Sequence, residues 1–337
     1  MSIIRINIFL ITLLFVFQSC KNESKPKEFK KISKSIPWIK GGNFNSDSAY
    51  QYIAKQVSFG PRVPNTKNHQ KCGDWLVKKL LKLGYNVKEQ KGEVTAFNGS
   101  KLPVRNIIAN LNDSLNKKVL LCAHWDTRPF ADRDSVDVNK PIIGANDGAS
   151  GVGVILEIAR NIILDSINTA VEIIFFDVED YGTPSTNNSF FDLQSMNDTW
   201  CLGSQFWCYN LNNDYRRPNF GILLDMVGAK NAVFPKEEIS RQFAGYHLNK
   251  IWKLADFLGY SKYFQKKIAP PITDDHTYIN QLSQIPTLDV IHYDVSPYSG
   301  RFDFGKFHHT HNDNLSIIDK TTLKAVGQTI LSYLYNI

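Results

Sequence analysis

Cysteine is scarce in this chain and wrongly spaced for a cysteine-based metal site. Only five occur among 337 residues, and Cys72, Cys122, Cys201 and Cys208 never fall in the two-residue spacing of a zinc knuckle. Cys122 sits inside an apolar run, where a thiol behaves as a small hydrophobe. Cys201 and Cys208 lie close together and an exported chain could pair its cysteines, but spacing leaves the connectivity open. Internal repeats and low-complexity tracts are absent, which sets repeat architectures aside. The segment Gly148-Ala149-Ser150-Gly151 lacks the second glycine of a nucleophile elbow, because Val152 stands there. Gly151-Val152-Gly153 lacks the third glycine of a dinucleotide fingerprint, because Leu156 stands there. Lysines are scattered rather than grouped with aromatics, so the net charge of +7 describes a solvated basic surface and no nucleic-acid partner is expected.

The N-terminus reads as an export signal. Arg5 precedes an apolar run from Ile6 to Phe17 that ends in Gln18-Ser19-Cys20. The run is too short for a transmembrane helix. A small residue directly before Cys20 suggests a bacterial lipoprotein box, with lipid carried on Cys20 after removal of residues 1–19. Residues 20–40 are polar and lysine-rich and read as a tether. Residues 41–337 are long enough for a single catalytic domain with a substantial core. The expectation is an exported, membrane-anchored lipoprotein facing the periplasm or cell surface, touching the membrane only through its lipid.

Helical and strand patterns alternate along the domain, which predicts a layered α/β fold. Helices are expected over Asp47 to Val57, His69 to Leu83, Gly148 to Leu164, Glu238 to Leu258 and Asp319 to Tyr335, with apolar residues at helical period. Strands are expected at Val119 to Ala123, Val171 to Phe176, Phe220 to Leu224 and Thr287 to Ile291, the first a continuous apolar run suited to burial on both faces. Polar residues follow these strands: His124 and Asp126, then Asp177, Glu179 and Asp180, then Asp225. Open α/β sheets bind ligands outside the carboxyl ends of their strands, so these residues converge on one site. Asp147 before Gly148 has the simpler alternative of capping a helix. Taken together, His124, Asp147, Glu179, Asp180, Asp225 and His309 offer the imidazole and carboxylate ligands that zinc accepts. A divalent cation is the natural way to keep crowded carboxylates ionised.

Four segments carry a resemblance: Ala123-His124-Trp125-Asp126-Thr127, Gly144 to Gly151 with Asn146-Asp147-Gly148 at its centre, Phe175 to Asp180, and His309-Thr310. With Leu224-Asp225 they span most of the domain and resemble the zinc aminopeptidase superfamily. This implies a three-layer α/β/α fold whose central twisted, mixed and mostly parallel sheet is flanked by helices. Within it, Glu179-Asp180, Thr273-Asp274-Asp275-His276 and the segment Phe307 to Asn314 are similar to the bacterial glutaminyl cyclases. That resemblance implies one zinc held by Asp147, Asp180 and His309. It implies Glu179 as acid/base, joined to Asp225 and Asp274 in a hydrogen-bonded acidic network. His124 and Asp225 then support the site. In the animal enzymes a tryptophan precedes the zinc histidine, where His308 stands here. The aromatic walls for substrate are therefore expected from Trp200, then Trp125 or Phe307.

The implied reaction closes an N-terminal glutamine onto its own amine, releasing ammonia and leaving pyroglutamate, with peptides or proteins beginning in glutamine as partners. The rival reading is a two-zinc aminopeptidase with His124, Asp147, Asp180, Asp225 and His309 as ligands.

Overall fold

The computed structural model describes residues 38–184 and 198–337; the leader, Cys20 and most of the expected tether lie outside them. Helix α1 (Ser46–Val57) and helix α2 (Lys67–Lys82) open the domain. Both start on side-chain caps, Asn45 accepting from Asp47 and Ser48 N–H and Thr66 accepting from His69 N–H. An antiparallel hairpin that periodicity did not announce follows, β1 (Asn86–Thr95) and β2 (Lys101–Leu111), turning at Phe97 to Ser100. β1 is a charged outer strand with no fully buried residue, and so carries almost no apolar alternation.

The expected strands appear as β3 (Lys118–His124), β4 (Ala170–Phe176) and β5 (Phe220–Asp225), each buried throughout. After the short pair β6 (Phe234–Glu237) and β7 (Phe264–Ala269), β8 (Thr287–Ile291) completes the main sheet. Its order is β1-β2-β4-β3-β5-β8, with β1, β2 and β4 successively antiparallel and β4, β3, β5 and β8 parallel. A small ribbon of β9 (Asp294–Val295) and β10 (Phe302–Asp303) lies beyond it.

Alternation along the strands divides the interior in two. Val119, Leu121 and Ala123 of β3, with Val171, Ile173 and Phe175 of β4, face helices α1, α2, α3 (Ala149–Leu164), α5 (Glu238–Phe257) and α7 (Lys320–Tyr335). Leu120, Cys122, Ile174 and Phe176 face Trp207 and Cys208 of α4 (Leu202–Tyr209), Ile279 and Ile285. The short α6 (Asp275–Tyr278), capped by Asp274, runs into a π-helical turn at Ile279–Ser283. This is the expected three-layer α/β/α arrangement with a mixed, mostly parallel sheet. Two glycines permit its closest approaches. A Cβ at Gly151 would collide with Leu224 O on β5, and one at Gly203 with Asp177 O after β4. Trp38–Ile337 forms one compact unit. Ile39, inside the stretch read as tether, is already tied to Asn336 by two hydrogen bonds. Among the described residues no helix is long and apolar enough to cross a membrane. Cys72, Cys122, Cys201 and Cys208 are all free, buried thiols, which closes the pairing question left by spacing.

Candidate metal centre and active site

The carboxyl ends of the parallel strands deliver the chemistry. His124 ends β3 and Asp225 ends β5, while Glu179 and Asp180 follow β4. Val178 (φ 52°), Met226 (φ 47°) and His309 (φ 56°) adopt left-handed backbone beside these groups. Such residues cost about 1–3 kcal/mol each and persist where surrounding structure dictates them. Asp126 holds the acidic pair in place, accepting from Glu179 N–H at 3.1 Å and Asp180 N–H at 3.2 Å. Asp313 does the same for the turn before α3, accepting from Asn146 N–H at 2.7 Å and Asp147 N–H at 3.0 Å. Gly148, without any side-chain bond, occupies the α3 cap position, so Asp147 is left free of capping.

His309 stands near both Asp180 and Asp147, and ligand atoms of Asp147, His308 and His309 lie within 4.8 Å of one another. His309 Nε2 lies 3.2 Å from Asp180 Oδ1 and 3.8 Å from Asp147 Oδ2. Both Asp180 oxygens are buried with no hydrogen-bonded donor among the described residues. Burial, then repulsion from Asp147, pushes the Asp180 carboxyl upward. Two buried carboxylates on either side of one imidazole are a donor set that zinc accepts, and three protein ligands leave one position open. His309 is oriented from behind, its Nδ1 standing 3.4 Å from Asp132 Oδ1. Arg128, fully buried, holds Asp132 through Nε and Nη2 at 2.6 and 3.0 Å and donates to Asp180 O at 3.0 Å. Sequence reasoning passed over Arg128 and Asp132, which lie at no strand end and in no matched segment, and Asp313, which lies within the segment Phe307 to Asn314 but was overshadowed there by His309.

A second group sits beside the first. His124 Nε2 lies 3.0 Å from Asp147 Oδ1 and 3.2 Å from Asp225 Oδ1, and ligand atoms of the three residues lie within 4.8 Å of one another. Burial pulls the His124 imidazole down, but bonding to Asp126, Asp147 and Asp225 outweighs it and carries the ring well above its usual range. Burial lifts the Asp225 carboxyl to about 7 against the opposing bond to His124.

Glu179 stands apart from the expected acidic network. Among the described residues no hydrogen bond joins it to Asp225 or Asp274. Its Oε1 accepts from Cys201 Sγ at 3.1 Å, although Asp274 is near enough for ligand atoms of Glu179, Cys201 and Asp274 to lie within 4.8 Å. Burial, with repulsion from Asp180, Asp274 and Asp275, raises the Glu179 carboxyl well above the usual range despite the pull of His124. Asp274 caps α6 and accepts from Asp275 N–H at 2.5 Å.

These groups border a cavity of about 520 Å³, lined by Asp147, Glu179, Asp225, Asp274 and His309 on its polar side. Trp200 lines it as expected, its indole parallel to the His309 ring (6°) at 5.7 Å and covered by the Arg128 guanidinium at 4.5 Å. Two expectations are corrected. Trp125 is fully buried in the core, stacked on His69 at 4.1 Å, because it starts the loop after β3 on the α2 side. Phe307 turns away against His292 at 5.7 Å, and the apolar wall is formed instead by Tyr293, Phe302, Phe304, Met226 and Ile291. A short aromatic run around Phe302-Asp303-Phe304 was the available signal for that wall.

Comparison with known proteins agrees with this architecture. The glutaminyl-peptide cyclotransferase of Bothrops jararaca is 26% identical over 259 residues, covering 68% of this chain and 65% of that protein, so the chain spans about two thirds of this relative's length. The crystal structure of Tannerella forsythia glutaminyl cyclase superposes with a TM-score of 0.83 at 48% identity, covering 88% of this chain and 99% of that one. A Zn-dependent exopeptidase from Parabacteroides distasonis superposes with a TM-score of 0.82 at 46% identity, over the same shares of each chain. The model of peptidase family M28 matches residues 106–334. The chain belongs to peptidase family M28.

Proposed function

We propose that this protein is a zinc-dependent glutaminyl-peptide cyclotransferase that converts N-terminal glutamine to pyroglutamate with release of ammonia. The observation that carries the reading is Glu179 at the wall of an aromatic-backed cavity, its carboxyl raised by burial and set beside a three-ligand metal group. Similarity to the Tannerella cyclase over 99% of its chain supports it.

Asp147, Asp180 and His309 would hold a single zinc, which would supply Lewis acidity toward the substrate's γ-carbonyl oxygen. The cavity keeps the glutamine side chain curled against its own amine, converting the attack to a favourably oriented intramolecular step. Glu179 takes the proton from the attacking amine and returns one to the departing ammonia, work that a carboxyl raised by burial suits. Asp225 and Asp274, both lining the cavity, supply negative charge near the substrate amine. Trp200 forms one wall of the substrate site and Phe304 another. The substrates are peptides or proteins beginning in glutamine. Residues 1–19 export the chain and lipid on Cys20 anchors it, so the domain works at the periplasmic or cell surface.

The grouping of His124, Asp147 and Asp225 favours one competing reading, a second zinc and aminopeptidase activity. Incubation with Gln-peptides and Leu-peptides separates the two, alongside zinc stoichiometry. The cyclase reading requires ammonia release without chain shortening and one zinc per chain. Freed leucine with two zinc ions would overturn it.

A further inference from the structure

We propose that Cys201 is a positioning residue for Glu179: its thiol donates a hydrogen bond to Oε1 and fixes how the acid/base carboxyl is presented to the substrate. The inference rests on the cyclase reading for its catalytic consequence and on geometry for the bond itself.

Two contacts bind the two residues together, and a third binds their neighbours. Cys201 Sγ lies 3.1 Å from Glu179 Oε1, Cys201 N–H donates to Glu179 O at 3.0 Å, and Leu202 N–H donates to Val178 O at 3.0 Å. The backbone thus pins the start of α4 to the loop that carries the acid pair. Cys201 itself is held at φ 55°, in the left-handed region, as the residue preceding α4. Gly203 lets α4 approach Asp177 O more closely than any side chain would permit. The donor is therefore fixed by the fold, while the terminal torsion of a glutamate is intrinsically broad.

Chemistry gives the bond one direction. Burial, then the nearby charge of Glu179, pushes the Cys201 thiol well above its ordinary range, so the sulfur keeps its proton and acts as donor. The same burial makes it a poor nucleophile, and Cys201 does not line the cavity, so it does not meet substrate. With Oε1 occupied, Oε2 remains for proton transfer; it stands 3.9 Å from His124 Nδ1. Nothing in composition or spacing separates this thiol from the apolar Cys122, whose sulfur has only a backbone carbonyl at 3.7 Å.

The test uses the full-length protein and its Cys201→Ala, Cys201→Ser and Glu179→Gln variants. Loss of the donor in Cys201→Ala should lower kcat on a Gln-peptide about ten-fold while KM changes little, and Cys201→Ser should recover most of it. Melting temperatures separate this from a packing defect: a fall in kcat tracking a fall in Tm, without rescue by serine, overturns the proposal, as does wild-type kcat in Cys201→Ala. The S–H stretching band, assigned by difference against Cys201→Ser, gives a readout that needs no turnover. It should move to higher frequency in Glu179→Gln, where the acceptor loses its charge, and an unmoved band overturns the proposal. A wild-type protein that releases no ammonia overturns the cyclase reading, and the S–H band still decides the bond.

Discussion

Strands β3 and β4 bury charge at both of their ends, and the two ends handle it differently. At their start, Lys118 Nζ lies 2.7 Å from Glu172 Oε2 and 3.1 Å from Asp113 Oδ1, while Tyr215 O–H donates to Glu172 Oε1. One buried ammonium faces one buried carboxylate, with a phenol filling the remaining lone pair. At their finish, Asp147, Glu179, Asp180, Asp225 and Asp274 crowd around two histidines, and neither Asp180 oxygen has a well-formed hydrogen bond among the described residues, Arg128 Nη1 standing 3.5 Å from Oδ1. The first cluster is complete as protein. The second needs a cation to be complete, and that deficit distinguishes a working site from structural ionic packing.

Asp180→Asn tests the deficit most severely. Neutralising one zinc ligand should abolish stoichiometric zinc and lower turnover by roughly 10³-fold, since a Lewis acid contributes several kcal/mol to the transition state. Metal analysis and ammonia release on the same preparation check it, and retained zinc with retained turnover would move the metal elsewhere. The opposite cluster should respond in stability instead. Lys118→Met strands Glu172 in the interior and should cost about 3–5 kcal/mol in denaturant unfolding, with kcat nearly unchanged in the folded fraction. Lys118→Met combined with Glu172→Leu should regain most of that loss. Failure to regain it would mean the pair organises its surroundings beyond charge balance.

How far the sequence anticipated this follows from the same contrast. The strand-end carboxylates and histidines were legible because largely apolar runs mark buried parallel strands, and polar residues directly after them must lie at the sheet's edge. Helices α3, α5 and α7 were legible within a residue or two through apolar period and caps such as Asp319. The β1–β2 hairpin was illegible because an outer strand facing water carries charge on both faces. Arg128, Asp132 and Asp313 were illegible because they support others through contacts far apart in sequence. Trp125 and Phe307 show the limit most directly: adjacency to a ligand in sequence does not say which way a ring points, and both turn from the cavity.

Aromatic rings sharpen the contrast at intermediate magnitude. Trp200→Ala removes the surface stacked on His309 and the seat of Arg128, and should raise KM about ten-fold, the scale of a stacked ring with its cation–π partner. Trp125→Phe should leave KM unchanged and lower the melting temperature, because that indole fills the core. Equal effects on KM would return Trp125 to the substrate wall.

The smallest effect concerns a half-buried group that avoids charge. His247 on α5 stacks on Phe220 at 3.6 Å, pairs through Nδ1 with the Tyr333 hydroxyl at 2.7 Å, and lies far from the cavity lining. Burial, with nearby Lys250, pulls its imidazole down to about 4. In the unfolded chain the ring titrates near its ordinary value of about 6.5. Between these values the unfolded chain binds a proton that the folded protein refuses, so stability is fully present above about 6.5 and declines as pH falls toward 4. The half-exposed ring is screened by solvent, which limits its share to about 1 kcal/mol. Denaturant unfolding at pH 7.5 and pH 5 should therefore differ less in His247→Gln than in the parent, by about that amount. Equal differences would mean that His247 accepts its proton within the folded state.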